Sequence, residues 1–117
     1  MFSRPWGTYE IIARGEGFLT KKIVVHPQQR LSLQSHEHRS EHWVIIDGEG
    51  AIMLGTDVIR CSYNTSVFVP RGVKHRIHNT SKNVPLVFIE VQVGQILEET
   101  DIIRYEDDYD RKTESFK

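Results

Sequence analysis

The chain has 117 residues, with 15 basic and 16 acidic side chains, six histidines and one cysteine. That is one domain with enough apolar residue to bury its own core, and the near-cancelling charge gives no reason to expect nucleic acid or a membrane surface as partner. Cys61 alone cannot form an internal disulfide, no apolar run approaches the ~18 residues of a membrane span, and Met1 to Trp6 lacks the apolar stretch of a secretory signal, so a cytoplasmic protein is expected.

In chain order, the apolar residues come as short β-branched runs: Ile11-Ile12, Ile23-Val24-Val25, Val44-Ile45-Ile46, Val67-Phe68-Val69, and Val87-Phe88-Ile89 continuing to Val91 and Val93. Turn formers bound them, among them Gly15 and Gly17, Pro27, Gly55, Asn64, Pro70 and Gly72. Many short strands without sustained helical periodicity predict an all-β sandwich or barrel. The predicted domain covers residues 1–117, with a core over about 7–97. Asp47-Gly48-Glu49-Gly50 between two apolar runs predicts a hairpin. A jelly roll or closed barrel protects strand edges at this size, and its interior is where a ligand would sit. The polar segment 98–117 is expected to be a tail, irregular or briefly helical, because Ile102, Tyr105 and Tyr109 are spaced three and four apart. Residues 111–117 are expected to fray.

Two stretches carry possible metal chemistry. In the first, Gln34 and His36 fall on one face of a predicted strand and Leu33 on the other. Glu41 then opens the next strand with Trp43 and Ile45 on its face, while His42, Val44 and Ile46 face away. In the second, the Pro70–His75 turn aims His75 inward. An imidazole, carboxylate and amide set suits Zn, Mn, Co, Fe or Ni as a divalent ion. His38 lies in the turn after His36 and rivals Gln34, the weakest donor. His26, His42 and His78 read as ordinary surface or hydrogen-bonded histidines. Asn79 is placed to close the loop that follows its strand.

At these residues the chain resembles the cupin superfamily, whose fold is a double-stranded β-helix or jelly-roll barrel. Gln34-x-His36, four residues, Glu41, six residues and Gly48 keep the first cupin motif, with Gln34 in place of a histidine. Pro70, Gly72, His75 and Asn79 keep the second. Gln28 and Asn64 stand where both motifs begin with glycine, positions that call for a positive φ. Arg4-Pro5-Trp6-Gly7-x-Tyr9-Glu10, Leu31 to Trp43, Ile89 to Gly94 and Asp101 to Arg111 resemble more narrowly the type II mannose-6-phosphate isomerase domain. That domain forms the C-terminal part of bifunctional mannose-1-phosphate guanylyltransferase/mannose-6-phosphate isomerases. Asp110 replaces the glycine of the family's closing Tyr-Gly-Arg, next to Arg111.

The resemblance implies an aldose–ketose isomerase acting through a cis-enediol, with a zinc-like ion held by Gln34, His36, Glu41 and His75. The glutamine also matches the zinc ligands of type I mannose-6-phosphate isomerases and so favours Gln34 over His38. Glu90 and His38 are the candidate proton-transfer groups, and Arg104 is assigned to catalysis with them. Lys22, Arg39, Lys74 and Arg76 are candidates for the phosphate, and Trp43 for the pocket wall; a lone Lys or Arg is otherwise a solvated charge. Trp6 either covers the barrel or packs on a second subunit, and a homodimer is expected. No glycine-rich nucleotide loop is present, so a nucleotidyltransferase would be a separate partner. The alternatives are a non-catalytic cupin binding a sugar phosphate or nucleotide sugar, and another metal-dependent cupin enzyme such as an Fe²⁺ oxygenase, against which Gln34 argues mildly.

Overall fold

The computed structural model describes residues 1–109; Asp110, Arg111 and the rest of the expected fraying end lie outside them. Eleven strands follow one another: β1 Phe2–Arg4, β2 Gly7–Gly15, β3 Phe18–Val25, β4 Leu33–Ser35, β5 Arg39–Asp47, β6 Gly50–Leu54, β7 Asp57–Cys61, β8 Ser66–Val69, β9 His75–Asn79, β10 Leu86–Gly94 and β11 Ile103–Glu106. They form two antiparallel sheets, ordered β1-β2-β3-β10-β5-β8 and β11-β4-β9-β6-β7. The fold is the expected all-β barrel. Among the described residues there is no helix, hence none long and apolar enough to cross a membrane.

The three central strands of the larger sheet explain how one barrel holds both a core and a polar cavity. Register aligns Ile23, Phe88 and Ile45 across β3, β10 and β5, then Lys21, Glu90 and Trp43, then Leu19, Gln92 and Glu41. All nine side chains are buried, because a strand sends every second residue inward. The first row packs with Ile52 and Ile77 of the opposite sheet. Polar residues dominate the next two rows. One end of the barrel is therefore closed by hydrocarbon and the other is chemically equipped.

Three expectations are corrected or resolved. Asp47–Gly50 is not a hairpin: β5 and β6 belong to different sheets, and the segment crosses between them. Backbone crowding explains the glycines there. A Cβ on Gly48 (φ +83°) would lie 2.4 Å from the Pro85 carbonyl oxygen, and one on Gly50 would lie 2.3 Å from that of His78. The two-residue hairpin turns among the described residues are Pro5-Trp6, Glu16-Gly17 and Gly55-Thr56. The C-terminal segment contains a strand rather than a helix: β11 pairs with β4, satisfying backbone groups that an open edge would expose. Its Tyr105 hydroxyl is 2.8 Å from Ser35 Oγ. Trp6 is buried in the core cluster, so it covers the barrel.

Asn79 behaves as the sequence suggests. Its amide donates to the carbonyls of Val25 and Val84 at 2.9 Å, and its oxygen accepts from Ser81 N–H, pinning the loop before β10.

Candidate metal centre

The polar rows face a cavity of about 80 Å³ that both sheets line. Inward parity on β5 delivers Arg39, Glu41 and Trp43 to this end of the barrel, while His42, Val44 and Ile46 are exposed. His36 lies one residue past β4, and His75 opens β9, directly opposite Gln34 in register. One ligand atom each from His36, Glu41 and His75 lies within 4.8 Å of the others, and all three residues are buried.

The donor set fits a divalent cation. His36 Nδ1 is 2.6 Å from the Asp101 carbonyl oxygen and His75 Nδ1 is 2.9 Å from that of Val73. Each Nδ1–H donates to a carbonyl, which fixes the tautomer and leaves Nε2 as the metal donor. Burial lowers His36 to about 4, outweighing the Glu41 carboxylate, and burial also lowers His75. Both imidazoles are therefore neutral near pH 7. Burial pushes the Glu41 carboxyl up, but Arg39, His36 and His75 together pull it down to about 2. Two neutral imidazoles and a carboxylate are the protonation states that metal binding requires. His36, Glu41 and His75 can thus hold a metal ion. Gln34 lines the same cavity, its amide Nε2 donating to Ser32 Oγ at 2.9 Å.

Glu41 is held from two sides: Trp43 Nε1 donates to Oε1 at 3.0 Å and Arg39 Nε to Oε2 at 2.8 Å. Arg39 Nη2 is also 3.3 Å from His36 Nε2, so the guanidinium lies against two of the three ligand groups. On the neighbouring strand β10, opposite Trp43 in register, Glu90 is buried and accepts from Gln92 Nε2 at 2.6 Å. Burial and the nearby Glu41 carboxylate push its carboxyl up to about 8, against the opposing pull of Arg39 and Lys21.

The structure thus brings Gln34, His36, Glu41, His75, Arg39, Trp43, Arg76, Glu90 and Arg104 to one site. Arg76 is almost fully buried, donating to the Leu31 carbonyl at 2.9 Å and to Glu106 at 3.3 Å. Arg104, opposite Gln34 in register, completes that wall.

Three candidates lie elsewhere. His38 is exposed on a separate surface cleft, its backbone N–H bound to the Asp101 carboxylate, and it belongs neither to the ligand cluster nor to the cavity. Lys74 is exposed, its ammonium 4.2 Å above the Tyr105 ring. Lys22 is exposed because strand parity turns it outward; its neighbour Lys21 enters the cavity instead. Alternation through Leu19, Lys21, Ile23 and Val25 carried that information. Glu99 and Asp101 were also missed, since an acidic stretch reads as solvated surface.

Comparison with known proteins now bears on this geometry. A family model described as Mannose-6-phosphate isomerase C-terminal matches residues 1–107. The chain belongs to that family. Curated relatives include the xanthan biosynthesis protein XanB of Xanthomonas campestris pv. campestris, 46% identical over 92% of this chain and 23% of that protein. The mannose-1-phosphate guanylyltransferase ManC of Salmonella typhimurium is 43% identical over 92% of this chain and 22% of its own length. The chain therefore spans less than a quarter of the curated relatives it matches. Among solved structures, a double-stranded β-helix protein from Klebsiella pneumoniae superposes with a TM-score of 0.75 at 18% identity, covering 90% of this chain and 89% of that one. KdgF from Halomonas gives 0.74 at 12%, covering 82% and 87%. These two likenesses show the double-stranded β-helix fold.

Proposed function

We propose that this member of the mannose-6-phosphate isomerase C-terminal family is a metal-dependent aldose–ketose isomerase interconverting mannose 6-phosphate and fructose 6-phosphate. The observation that carries the reading is the convergence, in one cavity, of a ligand-competent His36–Glu41–His75 cluster, a buried carboxyl and inward cations. A divalent ion there, zinc first in preference, would supply Lewis-acid polarisation of the sugar's carbonyl and hydroxyl oxygens. Gln34 is the fourth donor in this proposal, from its place opposite His75.

Glu90 moves the proton. Its ionised carboxylate takes the C2 proton of the open-chain aldose, and the C2–H electrons shift to give the cis-enediol as the C1 oxygen gains a proton. Glu90 then returns a proton to C1 while the C2 hydroxyl loses its own, giving the ketose. A carboxyl lifted to about 8 has a basicity matched to reaction near neutral pH. Trp43 fixes the Glu41 carboxylate and walls the cavity. Arg39 and Arg104 are placed to steady the charge that develops on the enediol oxygens.

A coupled assay for fructose 6-phosphate, run on pure protein with mannose 6-phosphate and added metal, tests the reading; no turnover with any of the five metals would reject it. The guanylyltransferase names of several relatives favour a second reading, a cupin that binds a sugar phosphate or nucleotide sugar without turnover. Binding of mannose 6-phosphate without product identifies that case. A homodimer and a separate nucleotidyltransferase partner remain part of the proposal.

A further inference from the structure

We infer that Lys21, Tyr9 and Arg4 form an anion cradle for the substrate's phosphate, and that the Glu99 carboxylate is an internal anion seated in it until a phosphate displaces it. The inference rests on the sugar-phosphate reading above and names where that site takes the phosphate.

Lys21 is 5% exposed, on the inward face of β3 among Leu19, Ile23 and Val25. Burying an ammonium is costly unless it is paired. Its Nζ lies 2.6 Å from Glu99 Oε1 and 4.3 Å above the Tyr9 ring. The Tyr9 hydroxyl donates to the same Glu99 oxygen at 3.2 Å, and Arg4 Nη2 donates to that hydroxyl at 3.1 Å. An ammonium and a phenol, backed by a guanidinium, thus converge on one carboxylate oxygen in the cavity wall. That is a preformed oxyanion site.

Its occupant is poorly anchored. Glu99 lies on the connection between β10 and β11, and its side chain is 61% exposed while contacting a lysine side chain that is 6% exposed. The other inward cations differ. Arg39 is tied to Glu41, and Arg76 donates to the Leu31 carbonyl as well as to Glu106. The cavity that Glu99 lines holds only about 80 Å³ around it, and an exposed side chain there can swing aside with little packing lost. A phosphate dianion brings three oxygens and more charge to the same donors, and it repels the carboxylate it replaces.

The spacing is also suitable. Lys21, Glu90 and Trp43 share one row across three strands, so roughly 10 Å of sheet separates β3 from β5. A hexose 6-phosphate carries its phosphate four carbons from C2. With C1 and C2 at the Glu41 side, the phosphate reaches towards β3.

Titration calorimetry with inorganic phosphate on the full chain, once with chelator and once with zinc, tests the cradle. Glu99→Gln keeps the shape, removes the competing charge, and should tighten phosphate binding about tenfold. Lys21→Met should weaken it by at least tenfold in both the wild-type and Glu99→Gln backgrounds. A gain of affinity in Glu99→Gln cannot come from misfolding, so the inference stays testable even if Lys21→Met folds poorly. Phosphate binding that ignores both substitutions, or that responds only to Arg76→Gln, overturns the cradle. If the phosphate pattern holds but no isomerisation occurs, the isomerase reading falls and the cradle stands. If Lys21→Met isomerises with unchanged KM, the cradle falls and the isomerase reading stands.

Discussion

Arg39 Nε and Glu41 Oε2 lie 2.8 Å apart, two residues along β5, with both side chains turned into the barrel and nearly excluded from water. The guanidinium neutralises a carboxylate that a metal would otherwise neutralise. Its second nitrogen stands 3.3 Å from the imidazole nitrogen the metal also needs. In metal-free protein, Arg39→Gln therefore leaves the buried Glu41 charge uncompensated, at a cost of about 3 kcal/mol. The same substitution removes a competitor for Glu41, so zinc affinity should rise. Thermal melts with and without zinc should show a lower metal-free Tm and a larger zinc-induced increase than wild type. A smaller increase would mean that Arg39 assists the ion rather than competing with it.

His36→Ala and His75→Ala each remove one donor from a three-residue cluster, whereas His38→Ala alters an exposed side chain outside it. Bound zinc, counted by elemental analysis after dialysis, should fall below one equivalent in the first two variants and stay at one in the third. Isomerase activity should follow the zinc. Activity that persists after the metal is lost would remove the ion from the mechanism.

Glu90→Gln keeps the cavity's shape and its hydrogen-bonding capacity but cannot accept a substrate proton. Turnover should fall about 10²–10⁴-fold while zinc stoichiometry is kept. Stability supplies an independent check through the sign of the shift. The unfolded chain titrates Glu90 near 4.5 and the metal-free fold near 8, so the folded state binds more protons between those values. The stabilisation is complete below pH 4.5 and is lost as pH rises through 8. Metal-free wild type should lose stability relative to Glu90→Gln between pH 5 and 8, measured by urea midpoints. Parallel profiles would place Glu90 in a more solvated setting.

Legibility in the sequence followed the physics of each feature. Period-2 alternation is local, so the β5 face carrying Glu41, Trp43 and Ile45 was readable outright, with His42, Val44 and Ile46 outside. The same rule applied to β3 separates Lys21 from Lys22, yet two adjacent lysines look alike unless the apolar neighbours are counted. Asp47–Gly50 failed for another reason. Glycine reports that a backbone approaches closely, not which strand it belongs to, and here the close backbones are Pro85, just before β10, and His78 on β9, the sheet neighbours of β5 and β6. β11 was unreadable because its strand character comes from pairing with β4, a partner about 70 residues away whose pairing no local pattern announces. Glu99 and Asp101 share that difficulty: their partners Lys21 and His36 are brought near only by the closed barrel.

The substitutions at the two motif-opening positions give the last prediction. Gln28 and Asn64 have φ values of +63° and +72°, the non-glycine residues with positive φ among those described. A left-handed conformation costs an ordinary L-residue about 1 kcal/mol, because its Cβ crowds the carbonyl, while asparagine recovers part of that through local hydrogen bonding. Gln28 N–H donates to the Ser81 carbonyl at 3.0 Å, a bond that glycine would keep. Gln28→Gly should therefore gain about 0.5–1 kcal/mol, seen as a Tm rise of about 2–4 °C, and Asn64→Gly should gain less. The order of the two gains is the decisive measurement. If Asn64→Gly stabilises as much as Gln28→Gly, side-chain tolerance of the left-handed region does not explain how the fold accepts both residues.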